Sequence, residues 1–254
     1  MALQLRYPEE ADFHSRTFID DEEAPAPTLA DAIFRWSPSV RADLARRSET
    51  CLTPARLIVA TGAEATAFGK TISQDAPVLG TLVLSTTPIA HTTFGAGPAA
   101  VCALLALTPE TLLLLAPLEV AEHDVWTFVD ALFAHVAPQE VVSLSALMSV
   151  TYDATLHDGC VLYQLASSSS SPLSDVPMLS APRFVTGIPA ALLTHCTLRR
   201  RRAAVFVSLQ HPTTSLLEST RCFGPLQTHL GLMSVTSTKR VDDATTKSFE
   251  SLYI

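Results

Sequence analysis

Leu57-Ile58-Val59-Ala60-Thr61-Gly62-Ala63-Glu64-Ala65-Thr66-Ala67-Phe68 passes within a few residues from an unbroken apolar run to small residues and then to helix formers. A strand buried on both faces reads as a continuous apolar run, whereas a half-exposed strand alternates. Leu57 to Ala60 is of the first kind. Thr61-Gly62-Ala63 supplies a tight turn, and Glu64 to Ile72 a helix. A buried strand turning at once into a helix is the opening of a βα unit.

The same grammar extends on both sides. Val78 to Leu84 reads as a second strand, Pro98 to Leu107 as a buried helix with proline near its start, and Leu112 to Leu115 as a strand. Glu122 to Val136 is an amphipathic helix, because Val125, Phe128, Val129, Leu132, Phe133 and Val136 recur at helical spacing. Val141 to Leu147 and Cys160 to Leu165 are further strands, and Arg183-Phe184-Val185 a brief one. Ile188-Pro189 opens a helix through Cys196, Ala203 to Leu209 is a strong central strand, and Leu216 to Leu230 a last helix bent at Gly224-Pro225. Apolar strands alternating with helices predict a single three-layer α/β domain with a mostly parallel central sheet covered on both faces.

The flanks differ from this core. Ile19-Asp20-Asp21-Glu22-Glu23-Ala24-Pro25-Ala26-Pro27 is acidic and then proline-punctuated, a composition that does not pack a core. Residues 1–50 therefore read as an acidic, partly disordered N-terminal arm, as either a partner surface or a plain leader. Within it, Ser37-Pro38 and Val40 to Arg47 form a candidate short helix with Ser37 as cap. Ser167 to Ser171 is a serine run expected as a solvated loop. Residues 51–236 carry the α/β domain, and 237–254 a flexible C-terminal tail.

With 254 residues, 48% hydrophobic and 17% charged, the chain has ample material for a core. A formal charge of −8 argues against a general nucleic-acid binder. Cys51, Cys102, Cys160, Cys196 and Cys222 are scattered and odd in number, as expected of reduced thiols. Met1 to Asp20 lacks the apolar stretch of a secretory signal, and neither half of Pro98 to Leu118 approaches the ~20 apolar residues of a membrane span.

Catalytic and cofactor signatures fail one by one. Gly62 stands alone where G-x-G-x-x-G needs three glycines, so it is read as a turn residue. Gly69-Lys70-Thr71 mimics the end of a phosphate loop but sits inside a helix. The histidines show no paired ligand spacing, which speaks against zinc or iron, and no G-x-S-x-G elbow is present. His195 and Cys196 are neighbours on one helix and point about 100° apart, too divergent for a base and its nucleophile. Cys196 is read as a core residue, and His195 as a polar face or a capped partner. Arg199 to Arg202 is the one basic cluster, either a solvated loop or a surface for an acidic protein.

Leu252-Tyr253-Ile254 ends a tail with little to bury. Leu252 can fill an apolar pocket, and the Tyr253 ring adds rigid area with a hydroxyl. The terminal carboxylate can pair with a lysine or with backbone N–H groups. The competing reading is the fraying end of a last strand.

Leu57 to Phe68 resembles the first core strand and helix of the proteasome assembly chaperone 1 family. Ile188-Pro189-Ala190-Ala191-Leu192-Leu193-Thr194-His195-Cys196 resembles that family's late Pro-Ala-Ala helix, followed by an apolar strand. Leu252-Tyr253-Ile254 matches its terminal hydrophobic-Tyr-X motif. The order of these pieces agrees over residues 50–254, while the serine run, the arginine run and the middle of the chain depart from the family. The resemblance implies a phosphorylase/hydrolase-like fold and a non-enzymatic chaperone without cofactor. It implies a heterodimer with proteasome assembly chaperone 2, bound to the α-subunit ring of the immature proteasome core particle. There it would favour correct assembly and block premature activator binding, in the cytoplasm and, as a second compartment, the nucleus. Leu252, Tyr253 and Ile254 are the implied protein-binding residues. The alternative is an α/β enzyme of phosphorylase or hydrolase type, which would need a concave polar pocket with a titratable pair near strand ends.

Overall fold

The computed structural model describes residues 30–85, 101–117, 119–149 and 160–231. The elements, in chain order, are β1 (Ala32–Trp36), α1 (Pro38–Arg47), β2 (Arg56–Thr61), α2 (Gly62–Ile72), β3 (Val78–Leu84), β4 (Cys102–Ala106), β5 (Thr111–Ala116), α3 (Val125–His135), β6 (Glu140–Met148), β7 (Cys160–Ala166), α4 (Gly187–Leu198), β8 (Arg202–Gln210), α5 (Leu216–Cys222) and α6 (Gly224–His229). A 3-10 turn, Glu122–Asp124, leads into α3.

The eight strands make one sheet in the order β1-β3-β4-β5-β2-β6-β8-β7. Its centre, β5-β2-β6-β8, is parallel throughout. Both flanks are antiparallel: β1, β3 and β4 on one side and β7 on the other. The sheet is thus mixed around a parallel centre. Parallel neighbours need a crossover connection, while of the antiparallel pairs only β4 and β5 are joined by a short hairpin.

Alternate residues of each central strand serve opposite faces. Leu57, Val59, Leu112, Leu114 and Val141 pack under α3 and α4 with Phe128, Leu132, Leu192 and Cys196. Ile58, Ala60, Leu113, Val142 and Leu144 pack under α2, α5 and α6 with Phe68, Phe223 and Leu226. Leu57, Ile58, Val59 and Ala60 are all fully buried, and each large side chain among them contributes about 1.5–3 kcal/mol. Gly69 lets α2 lie close to the sheet, because a Cβ there would come within 2.5 Å of Leu115 Cδ2.

Two of the predicted elements differ in the structure. Pro98 to Leu107 is not a helix where it is described: Cys102–Ala106 is strand β4. It turns into β5 through a hairpin closed by Leu107 N–H to the Thr111 carbonyl (3.0 Å) and by Thr111 N–H to Thr108 Oγ1 (3.0 Å). A short apolar run has no period by which helix and strand can be told apart. Arg183-Phe184-Val185 forms no strand and instead leads into α4. The Ala203 to Leu209 strand, β8, is interior but second from the edge.

The sheet also takes in residues from the segment read as the arm. β1 pairs antiparallel with β3, with Phe34 opposite Leu82, and Phe34 stacks on His135 of α3 at 4.3 Å. Buried Asp124 accepts the Ala30 N–H at 2.8 Å. Helix α1 begins at Pro38, as expected, but Ser37 makes no side-chain cap bond. Residues 1–29 lie outside the described residues.

Ser167 departs from the solvated-loop expectation. It is buried, and its Oγ accepts the Ala203 N–H at 3.0 Å. The outer edge of β7 is closed by the chain that follows: Gln164 N–H donates to the Pro177 carbonyl, and Leu179 N–H to the Gln164 carbonyl, both at 2.9 Å. The Gln164 amide donates to the Leu173 and Val176 carbonyls and accepts the Leu173 N–H. At the start of β2, in the centre of the sheet, Arg56 is a clamp. Its Nε donates to Glu140 at 2.7 Å and its Nη1 to the Leu230 carbonyl at 3.0 Å.

Candidate functional site

At β2 the topology turns. The chain leaves β2 through α2 on one face and comes back from β5 through α3 on the other, to form β6 on the far side of β2. In open α/β sheets the crevice at the carboxyl ends of such strands is where ligands sit. A cleft of about 350 Å³ opens there, on the α3/α4 side. Its floor is Thr61 at the end of β2, Ser145 and Leu147 at the end of β6, and Val207 of β8.

Two helices begin at this cleft. Gly62 opens α2 with φ +81°, and Gly187 opens α4 with φ +66°. Glycine suits both positions because positive φ strains any side chain. Thr61 and Thr186 hold the two cap positions, yet neither side chain caps its helix. Thr61 instead donates its hydroxyl to the Leu144 carbonyl at 3.1 Å, pinning β2 to β6. Glu119 and Glu122, both exposed, stand on the rim.

The cleft escaped sequence reading, because it depends on strand order. One signal pointed to it: Ser143 and Ser145 repeat at i, i+2 in an otherwise apolar strand and so place hydroxyls on one face. Both are buried, and the Ser143 Oγ has no hydrogen-bond partner.

The other chemistry-bearing residues singled out in the sequence are structural. Gly62 makes the positive-φ junction from β2 to α2 and belongs to no nucleotide-binding motif, and Gly69 is a packing contact inside a helix. Cys196 is fully buried, and burial pushes its thiol up to about 11. His195 is buried rather than on a polar face, with its ring stacked on Phe133 at 4.2 Å and 7° between planes. Burial lowers its pKa; Arg199 and Arg201 act in the same sense and Asp130 opposes them. In the arginine run, Arg199, Arg200 and Arg202 are exposed, and Arg201 lies 6.0 Å from the Phe133 ring centroid as a cation–π contact. Among the described residues no group of three His, Cys, Asp or Glu side chains could hold a metal ion, and no helix is long and apolar enough to cross a membrane. Leu252, Tyr253 and Ile254 lie outside the described residues.

Solved structures share this architecture. Pyrococcus furiosus PbaA, an archaeal homolog of proteasome-assembly chaperone, matches with a TM-score of 0.57 at 14% identity, over 72% of this chain and 80% of that one. P. furiosus PbaB, an archaeal proteasome activator, gives 0.55 at 9% identity over 80% and 91%. A Thermoplasma acidophilum protein of unknown function gives 0.60 at 8% identity over 79% and 86%. At such identities the likeness is one of fold. No protein-family model matches the chain, and no curated protein does.

Proposed function

We propose that this chain is a proteasome assembly chaperone that pairs with proteasome assembly chaperone 2 and binds the α-ring of the immature core particle through Leu252-Tyr253-Ile254. The observation that carries the reading is a coincidence of two features. The chain has the fold of PbaA and PbaB, and it ends in a hydrophobic-Tyr-X sequence. Leu252 and Tyr253 would enter a pocket between neighbouring α subunits, with the Ile254 carboxylate on a pocket lysine. A single tail pays an ordering cost on docking and binds weakly. A second tail on the partner would raise avidity by ~10²–10⁴-fold. Such a plug favours ring completion, excludes activators from the same pockets, and lets go when pocket geometry changes.

The test uses the full chain with its suspected partner. Deleting Leu252 to Ile254, or amidating the terminal carboxylate, is expected to weaken capture of α-ring precursors at least tenfold while leaving thermal unfolding unchanged. Undiminished capture by both variants would end the tail mechanism. Absence of proteasome α subunits from the unmodified complex would end the chaperone reading itself.

The second reading, an α/β enzyme, draws on the cleft at the strand ends with Glu119 and Glu122 on its rim. It ranks lower because, among the described residues, no hydroxyl or thiol lining the cleft is hydrogen-bonded to a histidine or a carboxylate that could activate it.

A further inference from the structure

The strand-end cleft has features that neither the fold nor tail docking requires. Helices α2 and α4, of 11 and 12 residues, start at its wall without side-chain caps. The first-turn N–H groups of a helix lack partners within it, and the terminus carries partial positive charge. Such an end holds an acid group well.

Ser145 is an independent sign. It lines the cleft and is only 8% exposed, yet among the described residues nothing hydrogen-bonds its hydroxyl. A hydroxyl that opens into the cleft without a protein partner is free to bond a bound molecule there. The remaining walls sort the possible molecules. Glu119 and Glu122 would repel a simple anion, and two helix N-termini would repel a simple cation. Leu147, Val185, Ile188 and Val207 add apolar surface. A volume of about 350 Å³ is at the small end of ligand pockets.

We propose that this cleft binds a small zwitterion, a free amino acid with an apolar side chain. The carboxylate is held by the first-turn N–H groups of α4 and by the Ser145 hydroxyl. The ammonium group faces Glu119 and Glu122, and the side chain lies on Leu147 and Val207. This site is separate from the tail and does not depend on the chaperone reading.

Calorimetric titration of the full chain with L-leucine and L-phenylalanine tests it. The half-ligands are 4-methylpentanoate, which lacks the ammonium, isopentylamine, which lacks the carboxylate, and inorganic phosphate, which has only negative charge. At least one amino acid is expected to saturate with a Kd in the millimolar range or below, and each half-ligand to bind at least tenfold more weakly. Ser145→Ala and Glu122→Gln should each weaken the amino acid several-fold. Glu122 is exposed, so its variant tests the site without threatening the fold. A chain lacking Leu252 to Ile254 should bind the amino acid as the intact chain does. No saturable binding of either amino acid would overturn the proposal. So would phosphate or a half-ligand binding as tightly as the whole, or unchanged affinity in both variants.

Discussion

The parallel centre of the sheet and its antiparallel flanks solve burial in different ways. Every residue of β5 is buried, as are Leu57 to Thr61 of β2. By contrast β1 alternates half-buried and exposed positions, and β3 buries only Gly80, Leu82 and Leu84. A strand with helices on both sides must be apolar throughout, whereas a strand covered on one side needs apolar residues at every second place. The two outer edges differ again. β7 is closed by the chain that Gln164 gathers, while β1 is short and carries Arg35, features that discourage pairing with another chain.

The largest test of this contrast is truncation at matched chemistry. Ile58→Ala, at a fully buried position, is expected to lose about 2–5 kcal/mol in urea unfolding. Ile33→Ala, half exposed on β1, should lose less than about 1 kcal/mol. Equal losses would mean that the flank is as integral as the centre. A smaller effect is expected at the β7 edge. Gln164→Leu keeps the approximate shape but strands the Leu173 and Val176 carbonyls, for about 1–3 kcal/mol. Limited proteolysis should then cut within 168–175 sooner than in the unmodified chain; an unchanged cleavage rate would show that the edge is held by other contacts.

The smallest effect is one of pH, in the helix layer over the centre. Burial lowers the pKa of His195, so the folded state favours the neutral ring. Its contribution is complete above the unfolded value of about 6.5 and is lost as pH falls from there through the lower folded value. His195→Leu should flatten the stability profile on the acid side of pH 6.5, as read from urea midpoints. The flattening is partial because His135 is shifted the same way, also by burial. A profile as steep as that of the unmodified chain would assign the acid sensitivity elsewhere.

The centre was legible because its signals are local. Leu57 to Ala60 is a continuous apolar run, and the α3 helix repeats Val125, Phe128, Val129 and Leu132 at helical spacing. β4 was not, since its short apolar run lacks a period and its identity comes from the Thr108 hairpin. β1 escaped for a tertiary reason: it is held by pairing with β3 and by stacking of Phe34 on His135. The cleft was not read from the sequence, because the residues that line it come from three strands and from the segments leading into α3 and α4. The tail was legible only as a motif.

The Arg56 clamp has a consequence for how the two proposed contacts share the molecule. Its guanidinium fixes the Leu230 carbonyl at the start of β2, so the end of the last helix is anchored at one pole of the domain. The cleft opens at the other pole, beyond Thr61, roughly 17 Å away at ~3.3 Å per strand residue. The Arg56 anchorage and a ligand in the cleft therefore do not compete for the same ground.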